Sequence, residues 1–248
     1  MTQRLLEGED EPVVILNEGG RSPVVLVCEH AGRQIPKRLG TLGLSDEDRS
    51  RHIAWDIGAE GVSRMLSRLL DAPLVLQRYS RLVYDCNRPP EAVDAIPKIS
   101  ETTPIPGNEK ITAEERLQRI NEIYRPLHAA VARLFDIRAA HGRPANLVTI
   151  HSFTRIYKGR ERKLDLGILH DRDTRLADRL LKGFPKLDVR RNEPYGPQDG
   201  VCHTLNLHAG VRGLPYAMIE IRNDLIGSER GQDEWAQRLS VPIRQATS

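Results

Sequence analysis

Residues 23–29 form a continuous apolar run of strand length that ends in Glu29 and is followed by His30. A strand covered by other layers on both faces reads this way, because neither row of its side chains meets water. The pattern recurs at 146–150, just before His151, and at 215–221, where Glu220 is embedded in the run. Shorter runs at 73–77 and 164–169 predict two more strands, the second leading to His170 and Asp171. Residues 81–85 alternate as a strand could, and Pro89-Pro90 then stops regular structure. Helical spacing fills the gaps. Ser45, with Glu47 and Asp48 after it, caps a predicted helix whose apolar positions are Ile53, Ile57, Val62, Met65, Leu66, Leu69 and Leu70. Thr112 and Glu115 have the spacing of a capping box and open a long helix with Leu117, Ile120, Tyr124, Leu127, Val131, Leu134 and Phe135 on one face. Gly142 and Pro144 end it. A short helix is expected up to Gly183 and a polar one from about 228. The stretch up to Asn108, rich in Pro, Thr and Gly, is expected to be a lid over a site. Strands alternating with helices predict an α/β sandwich with a mainly parallel sheet, and no internal repeat interrupts the pattern.

At 248 residues the chain has the length of one large domain. Its formal net charge of +3 is spread through the helices, which points away from nucleic acid or membrane as partner. No apolar run reaches membrane-spanning length, and residues 1–11 lack the apolar centre of a signal peptide, so a cytoplasmic protein is expected. Cys28, Cys86 and Cys202 are odd in number and widely spaced, a pattern of buried free thiols and neither a disulfide framework nor a thiolate zinc site. The oligomeric state is not fixed by these features.

The segment 79–90 crowds Arg81, Asp85, Asn87 and Arg88 around a few apolar residues. A guanidinium offers a fork of donors matched to a carboxylate, and an asparagine amide can donate beside it. Two readings stand side by side: a receptor for a small carboxylate, or a structural Arg81–Asp85 ion pair at a sheet edge. His30, Asp56, His151 and Glu220 lie at or near predicted element ends. Two imidazoles and a carboxylate form a common catalytic zinc set, and a second carboxylate can then serve as general base. Glu29 is a weaker ligand candidate, since neighbours on extended backbone point to opposite sides. His203 and His208 belong either to a solvated surface or to a substrate contact, and Arg222 either binds substrate or pairs with Glu220. Ser152 has no Gly-x-Ser-x-Gly elbow around it, which argues against a serine hydrolase. No Gly-rich phosphate loop occurs.

Five strings together resemble the N-formylglutamate amidohydrolase family over residues 24–225: Val27-Cys28-Glu29-His30-Ala31-Gly32 with Ile35-Pro36; His52-Ile53-Ala54-Trp55-Asp56-Ile57-Gly58-Ala59; Tyr79-Ser80-Arg81-Leu82-Val83-Tyr84-Asp85-Cys86-Asn87-Arg88-Pro89; His151-Ser152-Phe153; and Ile219-Glu220-Ile221-Arg222. That family is similar in turn to the zinc carboxypeptidases and aspartoacylases. The resemblance implies a three-layer α/β sandwich of the phosphorylase/hydrolase-like kind and a single zinc ion. It also implies hydrolysis of a small N-acyl amino acid, N-formyl-L-glutamate going to formate and L-glutamate. Carried over by residue, Asn87 and Arg88 would grip a substrate carboxylate, with Arg81 or Arg222 available for a second. His151 would bind zinc with Ser152 beside it at the substrate, and Glu220 would activate water. The zinc carboxypeptidase pattern has a glutamate ligand three residues after its first histidine. Here that position is Arg33, a cation that cannot ligate, so His30, Asp56 and His151 are the expected metal set. Action on another N-acyl amino acid or a peptide, and a metal-free carboxylate-binding protein, are the alternatives.

Overall fold

Consecutive residues of the run Val24–Cys28 go to opposite sides of a sheet: Val25 and Val27 join one buried cluster, while Val24, Leu26 and Cys28 join another. In the computed structural model, which describes residues 4–248, this run is the second of seven strands in one sheet. They are β1 (Val13–Leu16), β2 (Val24–Cys28), β3 (Leu74–Gln77), β4 (Asn146–Phe153), β5 (Leu166–Leu169), β6 (Val189–Arg191) and β7 (Tyr216–Arg222). The spatial order is β1-β3-β2-β4-β7-β5-β6. Pairs within β3-β2-β4-β7 and between β5 and β6 are parallel; β1-β3 and β7-β5 are antiparallel.

Helices cover both faces, completing the expected three-layer α/β sandwich. The helices are α1 (Asp46–Ser50), α2 (Ala59–Leu70), α3 (Ala113–Arg119), α4 (Arg125–Ala140), α5 (Arg175–Leu181) and α6 (Glu229–Thr247). Val62 and Leu66 of α2, Leu176 and Leu180 of α5, and Trp235, Leu239 and Ile243 of α6 pack on one face. Leu127, Val131, Leu134 and Phe135 of α4 pack on the other. None of the described helices is long and apolar enough to cross a membrane. All three cysteines are free and buried, as their spacing predicted.

Four expectations are corrected. Residues 81–85 are not a strand. Ser80 Oγ donates to Ala54 O and accepts from Leu82 N, folding the chain into a turn. The backbone groups that a neighbouring strand would satisfy are met elsewhere: Asn108 Nδ2 donates to Leu82 O, Arg119 Nη1 donates to Val83 O, and Asp85 N donates to Ala95 O. The helix expected from Ser45 to Leu70 is two helices. Ser45 does cap α1, accepting from Asp48 N, but the chain leaves the helix at Arg51 and re-enters at Gly58. Gly58 has φ +81°, and a Cβ there would stand 2.1 Å from Ile226 O. The long helix has its capping box but passes through a wider turn at Ile120–Tyr124, just ahead of Pro126, which has no N–H for the regular ladder. The fourth correction places His151 inside β4 and not at its exit, because β7 pairs alongside as far as Arg222 with Phe153. Two edge strands were not anticipated: β6 is short and carries no apolar run, whereas β1, Val-Val-Ile-Leu, is an apolar run of four half-buried residues that sequence reasoning passed over.

Candidate active site

β2 and β4 lie side by side and parallel, which brings His30, just past the end of β2, next to His151. The loop before α2 is fastened over them by Asp56 N donating to His30 O at 2.9 Å. Asp56 Oδ2 consequently lies 3.4 Å from His30 Nδ1 and 2.9 Å from His151 Nδ1, and all three side chains are buried. Each residue offers one ligand atom such that the three atoms lie within 4.8 Å of one another. Ligands at about 2.0 Å from a tetrahedral zinc ion stand roughly 3.3 Å apart, so the two measured separations fit such an ion. His30 Nδ1 is buried with no hydrogen-bond partner among the described residues, as a metal-facing nitrogen would be.

Each histidine has a carboxylate behind it. His30 Nε2 stands 2.7 Å from Asp85 Oδ1, and His151 Nε2 stands 3.1 Å from Glu29 Oε2, within ion-pair reach though not aligned as a hydrogen bond. Such carboxylates fix the ring and its tautomer. Burial alone would raise Glu29, but the charge of His151 and its hydrogen-bonding reach outweigh it and hold the carboxyl at about 2. Burial likewise opposes ionisation of Asp56 and Asp85; His30 chiefly holds Asp56 low, and Arg81 chiefly holds Asp85 low. The histidines respond in the opposite sense. Burial would lower His151, yet Glu29 and Asp56 raise it well above its ordinary value.

Glu220 is different. It sits on β7 opposite His151 in the register, is buried, and has one carboxylate oxygen, Oε2, with no partner among the described residues. Burial pushes it up to about 7, and the neighbouring His151 offsets only part of that rise. Glu220, the three triad side chains, Arg81, Asn87 and Arg88 all line one cavity of about 440 Å³. Ser100 and Glu101, from the stretch expected to be a lid, form part of its wall.

The Arg81–Asp85 ion pair of the 79–90 segment is present, and Arg81, Asn87 and Arg88 also line the cavity. Arg81 does pair with Asp85 (2.6 Å), and it also reaches Asp56 (3.4 Å), bracing the carboxylates on either side of His30 while facing the cavity. Asn87 Nδ2 donates to Val201 O and its Oδ1 accepts from Thr204 N. Arg88 donates to Asp94, Asn87 O, Asp199 O and Gly200 O. Both residues therefore pin the 199–204 segment against the cavity, each retaining one side-chain N–H unspent among the described residues. Ser152 Oγ donates to Ile57 O, and its backbone N–H donates to Asp56 Oδ2. Arg222 is not brought to the cavity: Asp165, Asp224 and the carbonyls of Lys163 and Leu164 hold its guanidinium outside it. Nor does it pair with Glu220. Arg33 lies over the Trp55 ring and does not line the cavity. His208 is buried against His128, His203 is half-buried and bonds Tyr124, and neither lines the cavity.

Sequence reasoning passed over Arg162 and Tyr195, which also line the cavity. Arg162 sits in the charged run Arg160-Glu161-Arg162-Lys163, a pattern of solvated surface, and only the folded chain turns it inward.

Residues 22–227 match the model of the N-formylglutamate amidohydrolase family. Among solved structures, the gene product Atu2144 from Agrobacterium tumefaciens is 50% identical, with a TM-score of 0.96 over 98% of each chain. An N-formylglutamate amidohydrolase from Ralstonia eutropha JMP134 is 22% identical with a TM-score of 0.71, over 96% of this chain and 97% of that one, a likeness of fold. A search of curated proteins gave no match.

Proposed function

The chain belongs to the N-formylglutamate amidohydrolase family, and from that membership we propose that it hydrolyses N-formyl-L-glutamate to formate and L-glutamate in the cavity shared by the His30-Asp56-His151 triad and Glu220. The observation that carries this reading is the contrast between carboxylates in one buried site. Glu29, Asp56 and Asp85 each stand against a histidine or an arginine, whereas Glu220 Oε2 has no partner among the described residues and burial raises that carboxyl to about 7, where a group can both take and give a proton.

His30, Asp56 and His151 would hold one zinc ion, which would supply a Lewis acid for the formyl carbonyl and lower the pKa of water beside it. The rest of the work falls to the protein. Ionised Glu220 accepts the proton of the attacking water at its free Oε2 as the water oxygen bonds to the formyl carbon. The carboxylic acid so formed delivers that proton to the amide nitrogen as the carbon–nitrogen bond breaks, releasing an amine and leaving Glu220 ionised again. Arg81 faces the same space with its charge fixed by Asp56 and Asp85, a donor for negative charge that develops on oxygen. The unspent N–H groups of Asn87 and Arg88 are assigned to a substrate carboxylate. Ser152, tied to Ile57 and Asp56, keeps the Asp56 loop on β4. Arg222 is assigned no contact with substrate.

The test is release of formate and free amine from N-formyl-L-glutamate. N-acetyl-L-glutamate and a dipeptide ending in glutamate run alongside. Preferential deformylation supports the reading; turnover confined to the acetyl compound or the dipeptide replaces it with an acylase or carboxypeptidase activity.

A further inference from the structure

Three arginines line the cavity, and two are already paired with carboxylates of the protein: Arg81 with Asp56 and Asp85, and Arg88 with Asp94, most of its remaining donors going to backbone carbonyls. Arg162 has no carboxylate partner among the described residues. Its guanidinium carbon lies 4.3 Å from the centre of the Tyr157 ring and 4.7 Å from that of Tyr195, with Phe153 at 6.0 Å. Nη1 donates to Tyr195 Oη at 3.0 Å. This is the only side-chain acceptor found for its donors among the described residues.

A guanidinium between aromatic rings loses little mobility on binding and keeps its in-plane donors free, which suits it to a planar carboxylate. Arg162 also enters from an element of its own. It follows the two-stranded ribbon formed by Ile156–Tyr157 and Arg160–Glu161 beyond β4, whereas Arg81 and Arg88 come from the loop after β3.

We propose that Arg162, held by Tyr157 and Tyr195, is the specificity-determining anchor for the substrate's side-chain carboxylate. This inference rests on the hydrolytic reading and deepens it: an N-acyl amino acid carries its α-carboxylate next to the scissile nitrogen, and an acidic one carries a second carboxylate farther off. The second needs a cation that is neither consumed by the triad nor tied into the 199–204 segment. Arg162 is that cation.

The test compares N-formyl-L-glutamate with N-formyl-L-glutamine, which replaces only the distal carboxylate by an amide. Arg162→Gln should raise KM for the glutamate compound by about tenfold or more while leaving kcat within about threefold, and should leave the glutamine compound nearly unaffected. Equal losses on both substrates, or none, overturn the proposal. Should Arg162→Gln fail to fold, the same comparison is made on Arg162→Lys, which keeps the charge without the fork and should lose part of the discrimination. If the wild-type protein deformylates neither compound, the hydrolytic reading fails by itself, and the anchor is then read from glutarate binding by calorimetry. Affinity about tenfold or more weaker in the Arg162→Gln protein sustains the anchor, and equal affinity removes it.

Discussion

Glu29 Oε2 stands 3.1 Å from His151 Nε2, and both residues are almost wholly shielded from solvent. The adjacency of Glu29 and His30 explains how. The two stand in the turn that follows β2, where His30 joins Asp56 and His151 while Glu29 goes behind the His151 ring. His151 then has Nε2 toward one carboxylate and Nδ1 toward another, Asp56, and the ring cannot turn without losing both.

Glu29→Gln should therefore weaken zinc binding by about 10- to 100-fold, as loss of a carboxylate behind a ligating histidine does elsewhere. Competition with a chromophoric chelator measures it. Unchanged affinity would show that Glu29 does not orient His151.

Glu220→Gln should lower kcat on N-formyl-L-glutamate by about 10²- to 10⁴-fold with a small change in KM, because the proton transfer it serves belongs to the transition state. Steady-state kinetics decide this, and a variant with undiminished kcat removes Glu220 from the reaction.

Glu220 also makes a prediction about stability. Its carboxyl is raised from 4.5 to about 7, so between those values the folded protein keeps a proton that the unfolded chain has released. Its contribution is fully present below about pH 4.5 and is lost as pH rises through about 7, on the order of 3 kcal/mol in all. Urea denaturation of metal-free wild-type and Glu220→Gln proteins should show the variant gaining relative stability from pH 5 to pH 8. A difference that does not vary with pH contradicts the assignment.

The folding pattern was legible wherever burial on both faces left an uninterrupted apolar run, as at Val24–Cys28 and Tyr216–Arg222. It failed where tertiary contacts replaced the usual backbone partners. The alternation of residues 81–85 looks like a strand, yet side chains from Asn108 and Arg119, distant in sequence, satisfy the carbonyls there. The triad and Glu220 could be anticipated because each stands in or beside a chemically unusual string. Arg162 could not, since its neighbours are charged and its aromatic cage comes from Phe153, Tyr157 and Tyr195. Arg222 misled for the complementary reason: proximity to Glu220 in sequence says nothing of Asp165, which draws it away.

Arg88→Ala should raise KM for N-formyl-L-glutamate by about tenfold and also lower the thermal midpoint, because the same guanidinium holds the carbonyls of Asp199 and Gly200. Kinetics and a thermal melt on one preparation separate the two effects. A raised KM with no change in melting would mean the 199–204 segment is held without Arg88.

Zinc content tests the central claim most directly, measured on protein purified without chelator, together with His30→Ala and His151→Ala variants that still fold. Wild type should carry about one zinc ion per chain, and each variant should lose both the metal and formate release. Full hydrolysis of N-formyl-L-glutamate by protein stripped of metal, or zinc retained undiminished in both variants, would contradict a triad built to hold the ion.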